Sequence, residues 1–268
     1  MALLTFERKE IKYIITKEQK EEILKRLSNY ITLDEYASNK GTYEVFNLYF
    51  DNCDNDIIRY NNSKPKYKEK FRVRAYSKLI NEDSIVYLEI KKKFKGYGNK
   101  RRVSMKYRDY LNFINQDFKK RESELFVDYY QRIKKIEYLD KDGKEKYLEN
   151  QILKEILYLF YLNDLKPACF ISSIRNAYFD SLNNDIRITF DQDIIVRGDN
   201  VSFDFFDGKR LLDENHIIME IKISNAMPLY LVNVLSDLKI YSQGFSKYGK
   251  FFEREQMIKK LNIEEFLY

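Results

Sequence analysis

The sequence predicts an α+β domain built on an antiparallel sheet, and three observations carry that expectation. Six runs alternate charged and apolar residues: Glu10-x-Lys12, Arg72-x-Arg74, Glu89-x-Lys91-x-Lys93, Lys100-x-Arg102, the segment around Arg187, and Glu220-x-Lys222. Strand side chains alternate faces with period two, so each run has one charged and one apolar face. Several of these runs are joined by connections too short for a parallel crossover. Between about 108 and 164 the apolar period becomes helical instead.

Taken in order, residues 5–15 read as a strand. A helix follows from about Lys17 to Asn29, with Thr16 as its N-cap and Ile23, Leu24 and Leu27 as its apolar stripe. Thr42–Asp51 is a second strand, and Asn52–Lys66 is a polar connector containing a short helical turn. Strands at 67–78, 84–93 and 99–107 are separated by turn signals at Asn81-Glu82-Asp83 and Gly96-Tyr97-Gly98-Asn99. Leu125, Phe126, Tyr129, Tyr130, Ile133 and Ile136 then define one helix, and Ile152, Ile156, Leu159 and Phe160 another. Asp140-Lys141-Asp142-Gly143 lies between them.

Strands at 167–180 and 185–197 flank a turn at Ser181-Leu182-Asn183-Asn184, and a further strand spans about 214–224. Pro228 suits the first turn of a helix running to Leu238. Gly244–Lys250 reads as a loop before a last helix that ends near Leu261. With no repeat or linker in view, residues 1–268 read as a single domain with a helical insertion at about 108–164.

Composition narrows the functional classes. The 23 Tyr and 19 Phe residues supply bulky packing in a chain without Trp. The net charge of +6 fits a local cationic site better than the dense basic coating or recognisable module of a nucleic-acid binder. Cys53 and Cys169 form neither a disulfide framework nor a Cys-x-x-Cys pair. The start of the chain lacks a signal-peptide core, and no apolar run approaches the roughly 20 residues that span a bilayer. The expectation is a cytoplasmic protein.

Any one charged pair is explained by a wetted sheet face. The set is harder to explain, because like charges on neighbouring strands repel. Cations that converge would need a strongly anionic ligand among them, and a phosphate chain is the obvious candidate. Glu10, Glu89 and Glu220 share these faces; they can be ion-pair partners or can hold Mg2+ or Mn2+, which prefer oxygen ligands. With His216 as the lone histidine, a zinc site or histidine dyad is not expected. No phosphate-binding glycine loop or nucleophile elbow is present.

Nine stretches, in order, resemble the VTC domain, the polyphosphate polymerase branch of the triphosphate tunnel metalloenzymes (the CYTH-like superfamily). They begin with Arg8-Lys9-Glu10-Ile11-Lys12-Tyr13-Ile14, Asn47-Leu48-Tyr49-Phe50-Asp51 and Phe71-Arg72-Val73-Arg74-Ala75-Tyr76. Leu88-Glu89-Ile90-Lys91, Lys100-Arg101-Arg102, Ile174-Arg175-Asn176-Ala177-Tyr178 and Ile186-Arg187-Ile188-Thr189-Phe190-Asp191 continue the series. Met219-Glu220-Ile221-Lys222 and Phe245-Ser246-Lys247-Tyr248 complete it.

The resemblance implies an antiparallel β-barrel or tunnel of about eight strands, with a charged lumen and helices packed outside. It further implies an ATP-dependent, phosphotransferring polyphosphate polymerase that uses Mn2+ or Mg2+ and releases ADP. Lys12, Arg72, Arg74, Lys91, Arg175, Arg187 and Lys222 would be catalytic. Lys93, Lys100, Arg102, Tyr178 and Lys247 would bind substrate, with Lys247 in a loop at a tunnel mouth. Glu220, helped by Glu10, would hold the metal. ATP and polyphosphate would be the partners, with no nucleic acid and no membrane contact except through a partner. A tri(poly)phosphatase or nucleoside or thiamine triphosphatase of the same fold, and a non-catalytic polyanion-binding domain, stay open as alternatives.

Overall fold

Eight long antiparallel strands form the wall of the molecule. In the computed structural model, which describes residues 9–34, 41–78, 80–133, 138–139, 145–146, 151–181 and 186–261, they are β1 (Lys9–Thr16), β3 (Tyr43–Asp51), β4 (Tyr67–Ala75), β5 (Ile85–Phe94), β6 (Tyr97–Lys106), β9 (Lys166–Asp180), β10 (Arg187–Arg197) and β12 (His216–Ile223). Their spatial order is β1-β12-β10-β9-β3-β4-β5-β6. Short strands β7 (Tyr138–Leu139) and β8 (Glu145–Lys146) continue the path beyond β6, while β2 (Ile31–Leu33) pairs with β9 and β11 (Lys209–Arg210) with β10, off that path.

The helices are α1 (Lys17–Arg26), α2 (Asp56–Asn62), α3 (Tyr107–Ile114), α4 (Phe126–Arg132), α5 (Gln151–Asn163), α6 (Leu229–Asp237) and α7 (Lys247–Leu261). Among the described residues none is long and apolar enough to cross a membrane.

Local sequence accounts for the element starts. Thr16 caps α1 through a capping box: its Oγ1 accepts from Gln19 N at 3.2 Å, and Gln19 Oε1 accepts from Thr16 N at 3.0 Å. Such a cap is worth about 1 kcal/mol. The β5–β6 hairpin turns on Lys95 (φ +46°) and Gly96 (φ +96°), a two-residue loop with both central residues left-handed. The turn thus comes earlier than the expected Gly96–Asn99, and β6 starts at Tyr97. The expected turns at Ser181–Asn184 and Asp140–Gly143 fall largely or wholly outside the described residues, as do Ile136 and the strand start at 5–8.

The apolar side of the wall faces the helices in two layers. Leu48, Phe50, Phe71, Val73, Leu88, Ile90, Val103 and Met105 pack against Phe113, Tyr129, Ile156 and Phe160 of α3, α4 and α5. Tyr13, Ile15, Ile188, Phe190, Met219 and Ile221 pack against Ile23 of α1 and Leu231 and Leu235 of α6. Burying that area at about 25 cal/mol per Å2 is the main driving force for the fold.

The other side is concave, because the wall curls until β1 returns against β6. The expected barrel is not closed by a ladder: among the described residues no pairing joins β1 to β6, the two ends of the eight-strand path, and β6 pairs with β7 instead. Side chains bridge the seam, with Lys91 donating to Glu10 at 2.5 Å and the Lys9 ammonium lying 5.9 Å from the centre of the Tyr97 ring.

One end of the concave side is filled by α7. Phe251 and Tyr248 of that helix pack on Cys169, Ile171 and Ile218. Tyr248 also donates to the buried Asp51 at 3.0 Å, and Asp51 in turn accepts the Ile57 and Ile58 amides at the start of α2. This carboxylate ties both helices to the wall.

Candidate functional site

Register converts the alternating runs into one charged surface. Glu10 stands opposite Lys222 and Lys12 opposite Glu220; Lys222 also faces Arg187, and Glu220 faces Thr189. On the far wall Arg72 faces Glu89, which faces Arg102, while Lys91 lies between Lys70 and Lys100. Arg175 and Asp191 are paired between these walls. All these residues point into the concave side.

Four carboxylates organise the cations. Glu89 is 0% exposed and takes two arginine forks, Arg72 Nε at 2.8 Å with Nη2 at 2.6 Å, and Arg102 Nε at 2.6 Å with Nη2 at 2.5 Å. Lys100 approaches it at 3.7 Å and Arg74 at 4.0 Å. Burial opposes its ionisation, but Arg72, Arg74, Lys100 and Arg102 hold its carboxyl far below the usual carboxylate range.

Asp191 receives Arg175 as a bidentate fork at 2.6 and 2.7 Å, together with Lys247. Glu220 lies 3.3 Å from Lys222 and 3.7 Å from Lys12. Burial again works against its charge, and Lys222, Lys12 and Lys91 outweigh it. Glu10, bonded to Lys91 and 3.8 Å from Lys222, is the fourth.

Arg187 projects from the end of this surface. Its Nη2 donates to Asp34 at 2.6 Å, and its plane lies 5.0 Å from the Phe179 ring. Two buried polar atoms nearby have no hydrogen-bond partner among the described residues, Arg187 Nε and Thr189 Oγ1. Such orphans cost free energy unless a ligand satisfies them.

Arg187→Ala is therefore expected to lower turnover by about a hundredfold. Because Arg187 is partly exposed and also holds Asp34, the same change should cost about 1–2 kcal/mol of stability. Steady-state kinetics beside thermal melts checks both. Loss of the fold would make Arg187 a purely structural partner of Asp34.

Four groups in the channel titrate near neutrality. Burial pushes Lys70 and Lys100 down to about 8. For Tyr49 and Tyr76 burial raises the phenol, but Arg72 and Arg74 for Tyr49, and Arg74 and Arg102 for Tyr76, bring each to about 8. Arg72 Nη1 donates to Tyr49 Oη at 3.1 Å and Arg102 Nη2 to Tyr76 Oη at 2.9 Å.

As pH rises through about 8, the lysines lose positive charge and the phenols gain negative charge. Affinity for tripolyphosphate should therefore fall at least tenfold between pH 7 and pH 9.5. Isothermal titration calorimetry across that range tests this, and a flat profile would contradict the placement of these groups around the ligand.

Most of the expected site residues share the concave surface, and alternation resolves the basic runs. Lys91 and Lys93 point to the concave side, with Lys93 exposed at its edge. Lys92 and Arg101 point outward and both pair with Glu155 of α5.

Two expectations need correction. Tyr178 lies on the opposite face, packed with the apolar layer under α1 and edge-on to Phe190, where it cannot meet a ligand in the channel. Lys247 is not in a mouth loop: it opens α7, buried against Asp191. Ser246 Oγ accepts the Gly249 amide at 3.1 Å, so Ser246 caps this helix and the expected loop ends four residues early.

Lys70, Tyr49, Tyr76, Asp191 and Thr189 were not expected. Lys70 continues the Arg72–Arg74 alternation by one step and donates to Ser246 Oγ at 2.9 Å.

Hard divalent ions take oxygen ligands, commonly completed by phosphate oxygens and water. Glu220, Glu10 and the unpartnered Thr189 hydroxyl form an oxygen-only set. Among the described residues no three acidic, histidine or cysteine side chains gather as a ready-made metal cage. The donors thus fit a metal that arrives on a phosphate.

Fold and site together define an antiparallel-sheet channel with a cationic interior. The VTC domain pattern matches residues 7–253, and the chain belongs to that family. No curated protein matches the sequence. Among solved structures, a provisionally named adenylate cyclase from Bacillus halodurans is similar at 10% identity and TM-score 0.43, covering 97% of this chain and 94% of that one. A provisionally named adenylyl cyclase from Hippeastrum, with a dominant triphosphatase activity, is similar at 11% identity and TM-score 0.40, covering 92% and 95%.

Proposed function

We propose that this protein is a polyphosphate polymerase, transferring the γ-phosphate of ATP to a growing polyphosphate chain within the channel. One observation carries the reading: every long strand except β3 contributes a cation to the concave surface, and cations there outnumber carboxylates by more than two to one. Such an excess is unfavourable without an extended anion to neutralise it.

Phosphoryl transfer needs positioning and charge neutralisation more than covalent help. The terminal oxygen of the polyphosphate chain is already ionised and attacks the γ-phosphorus in line. The bond from that phosphorus to the β–γ bridging oxygen breaks, and ADP leaves with the electron pair. No proton has to be removed, so the transfer needs no general base. Arg72, Arg74 and Arg102 are pre-aimed by Glu89, and Arg175 by Asp191, to meet charge developing on the transferring group. Arginine suits this because its planar fork matches phosphate bidentately. Lys12, Lys91, Lys100, Lys222 and Lys247 hold the flanking phosphates. Mn2+ or Mg2+, held by Glu220 and Glu10, would neutralise phosphate charge when bound.

Hydrolysis of a triphosphate is the competing reading. It requires a group that takes a proton from water, and the tyrosines at about 8, Tyr49 and Tyr76, are what the geometry offers. Purified protein with ATP and Mn2+ separates the two. A polymerase produces a ladder of phosphate chains on a gel; free phosphate in step with ADP, without a ladder, overturns the proposal.

A further inference from the structure

The β4–β5–β6 edge carries a surface that the channel chemistry does not use. Tyr67, Phe94 and Tyr97 stand directly opposite one another across the three strands, so their rings form a row on one face. They are 39%, 55% and 44% exposed, an unusual outlay of aromatic surface to water. Past Tyr67 lies a cleft with Ile57, Phe71, Leu159 and Leu165 in its lining and Asp56, Glu69 and Lys70 beside them.

Lysines surround the row. Lys9 of β1 lies 5.9 Å from the centre of the Tyr97 ring and Lys95 of the hairpin turn 5.5 Å from that of Phe94, while Lys64 and Lys66 lie on the segment leading into β4. None of these four enters an ion pair among the described residues. The nearest acid on the row, Glu69, is matched by Lys92 at 3.5 Å. The tip is also stiff: its turn is a two-residue loop, and the Lys95 amide bonds the Lys66 carbonyl at 2.9 Å.

We propose that this aromatic–lysine edge docks the protein on an anionic lipid surface. Exposed aromatic rings settle at the headgroup level of a bilayer, and flanking lysines are drawn to anionic headgroups. The two together make a reversible peripheral anchor without a spanning segment. A polyphosphate chain would satisfy the lysines but leave the rings and the cleft in water. A single-stranded nucleic acid could stack on the rings, but would have no use for the apolar lining of the cleft behind Tyr67.

Flotation of the full chain with vesicles of phosphatidylcholine, with and without 30 mol% phosphatidylglycerol, tests the inference in 0.15 M salt. The wild-type chain should float with the anionic vesicles only. The double variant Phe94→Ser with Tyr97→Ser, and separately Lys95→Glu, should each bind at least tenfold more weakly. Circular dichroism and ATP turnover should be unchanged, since none of these side chains lines the channel.

Equal binding to neutral vesicles, no binding, or full retention by the Phe94/Tyr97 variant would each overturn the proposal. So would loss of vesicle binding only in the lysine variant, combined with displacement by an oligonucleotide or polyphosphate, which would assign the edge to a polyanion instead.

Discussion

Glu220→Gln is expected to abolish metal-dependent turnover, lowering it by a factor of about 10² or more, equivalent to about 2.7 kcal/mol of transition-state stabilisation. The substitution keeps size and hydrogen-bonding capacity but removes one negative charge from the wall that faces Lys12 and Lys222. Binding of tripolyphosphate without metal should stay the same or tighten, because the channel becomes more cationic. The signature is therefore a split, with turnover lost and affinity kept. Parallel loss of both would make Glu220 a structural ion-pair partner. Turnover that survives unchanged would mean that the protein only binds polyanions, or that the metal is held elsewhere.

The second large effect concerns Glu89. Its role is to position arginines: it is fully buried and holds two guanidinium forks at hydrogen-bond distance. Removing one partner from such a cluster leaves uncompensated buried charge, and Glu89→Ala should cost about 3–5 kcal/mol in the absence of ligand. Tripolyphosphate should restore much of that loss, since its oxygens replace the missing carboxylate. Thermal melts with and without the anion measure this directly, and a variant as stable as wild type in plain buffer would refute the hub role.

The pH dependence has a definite sign. Because the folded carboxyl sits below its unfolded value near 4.3, its contribution is fully present above that pH and lost as pH falls beneath it. Asp191, depressed in the same way under burial by Arg175 and Lys247, acts in the same window.

Much of the wall was legible because strand periodicity is a rigid rule. Once Glu10, Lys12, Arg72, Arg74, Glu89, Lys91, Arg102, Glu220 and Lys222 are placed on strands, the step of two puts each pair on one face. The same rule would have rejected Tyr178: it stands three residues from Arg175 within one strand, so the two must point to opposite faces. It would also have added Lys70, two residues before Arg72.

Other features had no local signal. Asp34 and Asp191 become partners of Arg187 and Arg175 only through strand pairing between distant segments. Tyr49 and Tyr76 acquire their altered phenols from arginines on neighbouring strands. The start of α7 was masked by Gly244 and Gly249, which read as loop residues. The capping potential of Ser246, three residues before Gly249, was the counter-signal. The open seam between β1 and β6 follows from the curl of the whole sheet, which no single strand encodes.

The measurement that bears most directly on this account is an experimental structure of the protein with tripolyphosphate and Mn2+. It should place the phosphates along the concave surface, within hydrogen-bond distance of Arg72, Arg74, Arg187 and Lys222, with the metal between a phosphate oxygen and Glu220. Phosphates bound on the outer surface, with those four side chains turned to bulk solvent, would contradict it.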